Sequence, residues 1–170
     1  MNITKDLQQA NLSIRFAALA IAHTYIGQKE TPAGSNAGEF VEGCLKLVGL
    51  GKGFAWCQAF VYRVFNEAAT QLNCANPVPK TAGVLKCWND TPAKNRIGKN
   101  KPANVLAGYQ FIMDYGKGLG HTGIVVSVEG DSFTTIEGNT DAGGSRTGGS
   151  VCLRSRRFDD PKLKGFIAYI

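Results

Sequence analysis

The sequence predicts an α+β domain in which N-terminal helices pack on a C-terminal antiparallel sheet. Three observations carry this reading. Apolar residues recur at helical spacing as far as Trp88. From Tyr109 onward the period changes to alternation, with branched and aromatic residues separated by glycine. The turns between the alternating runs are too short for crossover helices, which leaves antiparallel pairing.

Taken in order, Leu7, Ile14, Ala18, Ile21 and Tyr25 mark a long first helix, with Gly27 as its stop. His23 belongs to this helix; with no acid or nucleophile pattern around it, it reads as structural or exposed. In the glycine-bearing loop that follows, Ser35 or Asn36 can cap a second helix ending near Gly49. The stretch GKGFAWCQAFVYRVFNEA, residues 51 to 68, sets Cys57, Phe60, Val61, Val64, Phe65 and Ala68 on one face and Arg63, Asn66 and Glu67 on the other. Glycines 51 and 53 place the start of this helix near Ala55 or Trp56. Thr81 to Trp88 reads as a short helix, and the Lys-, Asn- and Pro-rich segment from Asn89 to Asn104 as an exposed loop. Strands are expected over Tyr109–Tyr115, His121–Val128, Ser132–Gly138, Ser150–Ser155 and Phe166–Ile170. No internal repeat or linker divides the chain, so residues 1–170 are read as a single domain.

A chain of 170 residues can bury a core without metal or disulfide staples. Net charge +6 suggests an anionic partner, for which nucleic acid and the bacterial envelope both qualify. Against nucleic acid, the basic residues are scattered and no recognised motif is present. The densest group, Arg154, Arg156 and Arg157, alternates as on the outer face of a strand. The N-terminal residues carry no signal-peptide pattern, and the apolar stretch from Ile14 to Ile26 is broken by Arg15 and His23 and too short to span a bilayer. The reading is a protein without its own export address and without stable membrane insertion. Five cysteines without a CxxC pair, and only two histidines, make a structural zinc site improbable; no metal or cofactor is expected. Cys44 and Cys152 read as packing residues, and Cys74 and Cys87 flank a loop and can pair.

Cys57 stands on the first turn of its helix, where unpaired backbone amides and the helix dipole favour a thiolate, the nucleophilic form. It is also in register with the apolar face, as a buried packing cysteine would be. His121 opens a strand after the turn GKGLG, where an imidazole at the sheet's end can face a helix N-terminus or simply meet solvent. Glu137 and Asn139, two apart on a strand, share one face, and either can hold the histidine's second ring nitrogen and fix its tautomer. The ordinary alternative for Glu137 is an exposed strand carboxylate.

Register tests this grouping. A two-residue hairpin loop at Gly130 and Asp131 sets Val128 against Phe133 and leaves His121 and Glu137 on opposite faces. A three-residue loop sets Val125 against Glu137 and Gly123 against Asn139, and brings the polar groups to one face. A common site therefore requires an odd loop or a bulge.

The motifs AWCQAFV, GHTGIV and IEGNT, in this order and spacing, resemble the CHAP family of cysteine, histidine-dependent amidohydrolases and peptidases. The segments GSNAG and AGYQFIMDY extend the resemblance over roughly residues 27 to 170; the first helix, residues 1–26, is covered by no motif. Tyr109 departs from the family, which often has aspartate there. The resemblance implies a papain-like fold, Cys57 as nucleophile, His121 as general base, Glu137 as the residue orienting the imidazole, and Asn139 as a fourth polar group. It also implies bacterial peptidoglycan as substrate, cleaved as an N-acetylmuramoyl-L-alanine amidase or as an endopeptidase of stems or cross-bridges, without a cofactor. A wall hydrolase lacking a signal peptide would be made in the cytoplasm and reach the wall or periplasm by lysis, by a secretion system or after loss of a leader. The glycine-rich run from Thr140 to Ser150 would form a lip beside the groove. Two other readings remain at this level: an inactive wall-binding module on the same scaffold, or a cysteine amidase acting on a non-wall amide. An immunity or inhibitor partner is not legible.

Overall fold

The computed structural model describes residues 3–140 and 148–169, with side chains from Ile14 onward. Four helices precede the main sheet: α1 Ile3–Thr24, α2 Glu39–Leu47, α3 Cys57–Gln71 and α4 Val84–Asp90. Six strands follow: β1 Arg96–Gly98, β2 Gln110–Gly116, β3 Leu119–Glu129, β4 Ser132–Thr140, β5 Ser150–Arg157 and β6 Leu163–Ile167. They form one sheet in the order β1-β6-β2-β3-β4-β5, antiparallel at every pairing. This is the α+β arrangement expected of a papain-like fold.

Alternation along the strands sorts their side chains into two cores. Ile112, Ile124, Ile136 and Ile167 face the helices and pack with Phe60, Val61, Val64 and Phe65 of α3. Phe111, Phe133, Phe158 and Phe166 form a separate aromatic cluster, with Phe133 and Phe166 edge to face at 5.2 Å. α3 is therefore the helix packed on the inner strands β3 and β4, with its start close against β4. At Gly138 an added Cβ would lie 2.7 Å from the Trp56 ring and 2.8 Å from Phe60 Cβ, so only glycine lets β4 come this close to the start of α3.

Several expectations are corrected by tertiary pairing. α2 is preceded by Gly38, with neither Ser35 nor Asn36 capping it; Gly38 N donates to Glu42 Oε1 instead. β1 falls inside the segment read as an exposed loop, being three residues that pair only with β6. β6 begins and ends three residues earlier than expected. Cys74 is exposed and Cys87 buried, and both are free thiols. His23 is exposed. Tyr109, the departure noted above, carries the Arg15 guanidinium over its ring at 4.9 Å and so ties the N-terminal helix to the entry of β2. No helix among the described residues is long and apolar enough to cross a membrane. Most of the expected glycine-rich lip, residues 141–147, lies outside the described residues.

Candidate active site

α3 begins without a side-chain cap. Its first intrahelical bond runs from Phe60 N to Trp56 O, so the amides of Cys57, Gln58 and Ala59 have no partner within the helix. Trp56 is fixed from behind: its indole Nε1 donates to the buried carboxylate of Glu30 at 2.9 Å. Glu30 is itself carried on the chain that leaves α1 and pairs beside β5, through Lys29 and Ser150. These contacts set Cys57, 4% exposed, at the wall of a cavity of about 210 Å³ lined chiefly by Ala55, Ala82, Gly83, Val84 and Leu119. A larger cavity of about 730 Å³, bordered by Tyr25, Phe40, Arg63 and Glu67, has no cysteine, serine, threonine or histidine among its lining residues, and its arginine is already paired with Glu67.

His121 is fully buried on β3, and its position relative to Glu137 is decided by a bulge. The β3–β4 hairpin has the two-residue loop, with Val128 opposite Phe133. Left alone, that register would separate His121 from Glu137. The ladder shifts by one residue at Val126, so that Val125 pairs with Thr135 and Ile124 with Ile136. Gly123 thus comes beside Glu137, not Asn139, and the requirement is met by the bulge instead of a longer loop. The glycine is needed for close approach, since a Cβ there would lie 2.5 Å from Ile136 O and 2.8 Å from Glu137 Cγ. Gly123→Ala should therefore destabilise the protein by about 1–3 kcal/mol, the usual cost of overpacking. Urea denaturation checks this, and an unchanged midpoint would contradict the packing described.

Glu137 Oε2 lies 2.7 Å from His121 Nε2. The same carboxylate takes a forked pair of bonds from Arg156, from Nε at 2.8 Å and from Nη2 at 2.6 Å, and a third from the Thr135 hydroxyl at 2.6 Å. Burial opposes ionisation of Glu137, but Arg156 and His121 outweigh it and hold the carboxyl down at about 2. Burial also opposes a charged imidazole, yet hydrogen bonding and charge from Cys57 and Glu137 raise His121 to about 9. With Nε2 occupied by Glu137, Nδ1 is the nitrogen left for the thiol. Nδ1 makes no hydrogen bond of standard geometry, and Cys57 is the group beside the ring that, with Glu137, raises its pKa.

Asn139 is buried, but neither amide atom finds a partner, and the residue has a left-handed backbone with φ 58°. The β4–β5 ladder breaks between Glu137 and Thr140, so the expected sharing of a face by alternation does not carry through to Asn139. The structure puts His121 in direct contact with Glu137 and Cys57 close enough to act on the ring, and leaves the Asn139 side chain without a bond to them. Arg156, read from the sequence as part of an outer face, turns inward. Its side chain is only 11% exposed, and its guanidinium lies over the Phe111 ring at 5.5 Å. Arg156 was not legible as a site residue because its approach to Glu137 depends on the β4–β5 register; Thr135, two residues before Glu137 on β4, was missed although strand alternation puts the two on one face. Among the described residues no group of three His, Cys, Asp or Glu is placed to hold a metal ion.

Comparison with curated proteins and with solved structures gives no match. A family model described as CHAP domain matches residues 49–139, more than half of the chain, a span that includes the start of α3 and the bulged β3–β4 hairpin. The chain belongs to the CHAP family, whose domains are generally hydrolases.

Proposed function

We propose that this protein hydrolyses an amide bond of peptidoglycan through a covalent acyl-enzyme on Cys57. The observation that supports it is the buried His121–Glu137 pair, which leaves Nδ1 for a thiol placed at a helix start beside a cavity. In the proposed reaction Nδ1 takes the thiol proton, or already holds it in a thiolate–imidazolium pair, and the sulfur attacks the carbonyl carbon. The carbonyl oxygen, now negative, is met by the Cys57 backbone amide. On collapse the carbon–nitrogen bond breaks, and the imidazolium passes its proton to the departing amine. A water deprotonated by Nδ1 then cleaves the thioester and returns the thiol. Glu137 keeps the ring in the tautomer that presents a lone pair at Nδ1, and Asn139 stands by as a fourth polar group with donor and acceptor unspent. The excess of positive charge favours association with the anionic wall.

Digestion of purified sacculi followed by mass spectrometry tests this. Fragments with a freed lactyl carboxyl and a new alanine amino terminus identify an amidase, whereas cuts within stems or bridges identify an endopeptidase. Sacculi left intact while another amide is cleaved in a Cys57-dependent way would move the substrate elsewhere. His23→Ala should digest sacculi at the wild-type rate; a folded but inactive His23 variant would contradict the site.

A further inference from the structure

Behind Cys57 and His121 lies a hydrogen-bonded group that the reaction above does not use. Gln58, Gln110 and Thr122 are all fully buried. Gln58 follows the nucleophile on α3, and Thr122 follows the histidine on β3. Between them, Gln110 of β2 donates from Nε2 to Gln58 Oε1 at 2.7 Å and to Thr122 Oγ1 at 2.7 Å. Its carbonyl accepts from the hydroxyl of Tyr169, with the Cys87 thiol at 3.8 Å. The orientation of the amide is forced. The Thr122 hydroxyl spends its one hydrogen on Phe111 O at 2.6 Å, so towards Gln110 it can only accept.

The geometry points to Gln110 as a positioning residue that sets the first turn of α3 against β3, and so fixes the Cys57 thiol relative to the His121 ring. This rests on the Cys57–His121 reading above. Gln58 Nε2 is buried without a hydrogen bond of standard geometry, with the Cys87 thiol as a neighbour of its amide. A half-satisfied polar cluster stabilises a core less than apolar residues of the same shape would. What it does supply is direction: one carboxamide with two donors can satisfy both neighbours only at one relative setting of helix and strand. Small displacements of reacting groups are costly to rate, so such a setting acts on the chemistry without touching the substrate.

The test is alkylation of Cys57 by iodoacetamide in the full chain from about pH 5 to about pH 10, a range that brackets imidazole and thiol titration. Peptide mass spectrometry counts Cys57 apart from the exposed Cys74. Gln110→Leu should slow alkylation at about pH 6 by ~10-fold or more, as expected for a misplaced base. Gln58→Leu/Gln110→Leu, in which the cluster loses both amides, should recover thermal stability without recovering that rate; it is read alone if the single variant does not fold. A wild-type profile in either variant overturns the inference. His121→Ala separates the two levels. If it alters the profile while the Gln110 variants do not, only the role of Gln110 fails. If it leaves the profile unchanged, the pairing of thiol and imidazole fails and the positioning role with it.

Discussion

Replacing Cys57 by alanine should lower release of wall fragments by on the order of 10⁴-fold or more, and His121→Ala by a comparable factor. The double variant should be no worse than the poorer single one, because nucleophile and base act as a unit. Steady-state assays on defined wall fragments give the three numbers; additive losses would contradict the pairing. The same alanine at position 57 has a second consequence that requires no substrate. The rise of His121 to about 9 is produced against burial by Cys57 and Glu137 together. Removing the sulfur therefore lowers the imidazole pKa, while Glu137 still holds Nε2. An NMR titration of the ring should find its midpoint below that of the wild type, and an unmoved midpoint would show that thiol and ring do not interact.

Arg156→Leu is expected to cost about 3–5 kcal/mol of stability, because it leaves the carboxylate of Glu137 buried without its strongest partner. Glu137 is fully buried and Arg156 nearly so, so solvent does little to screen the loss. Adding Glu137→Gln to the arginine variant should recover part of that stability but not activity. The pH dependence has a definite sign. Glu137 is lowered from 4.5 to about 2 in the folded protein, so its contribution is complete above pH 4.5 and is lost as pH falls through 2. His121 is raised from 6.5 to about 9, so its contribution is complete below pH 6.5 and is lost as pH rises through 9. The pair together stabilises most between these limits. In Arg156→Leu the acid limb should move to higher pH, because the carboxyl is no longer held down by the guanidinium. Urea midpoints measured across this range test both limbs; an acid limb that stays in place would contradict the role given to Arg156.

The helix around Cys57 and the strands around His121 and Glu137 were legible because local periodicity reports which face of an element is buried. Periodicity cannot report an irregularity. The same alternation that finds β3 and β4 places His121 and Glu137 on opposite sides of the sheet unless a residue is added. Sequence alone could state that need without choosing between a longer loop and a bulge at Val126. β1 was missed for a related reason: three residues are too few to show alternation, and their pairing with β6 is made across a long stretch of chain. Arg156 was misread as an outward charge because its inward turn is produced by Glu137, which arrives from another strand. A charged residue on a strand is ordinarily solvated, and only a buried carboxylate of opposite sign reverses that preference.

The residues by themselves determined the order of helices and strands, the helix that carries Cys57 on its first turn, and the family to which the chain belongs. These depend on short-range patterns of apolar, turn-forming and motif residues, which survive in one dimension. Tertiary structure alone decided the bulge that brings Glu137 to His121, the arginine that keeps Glu137 ionised, and the Gln110 bonds spanning α3 and β3. Those are contacts between residues far apart in the chain, and their energies depend on burial and on a few tenths of an ångström, neither of which a linear pattern contains.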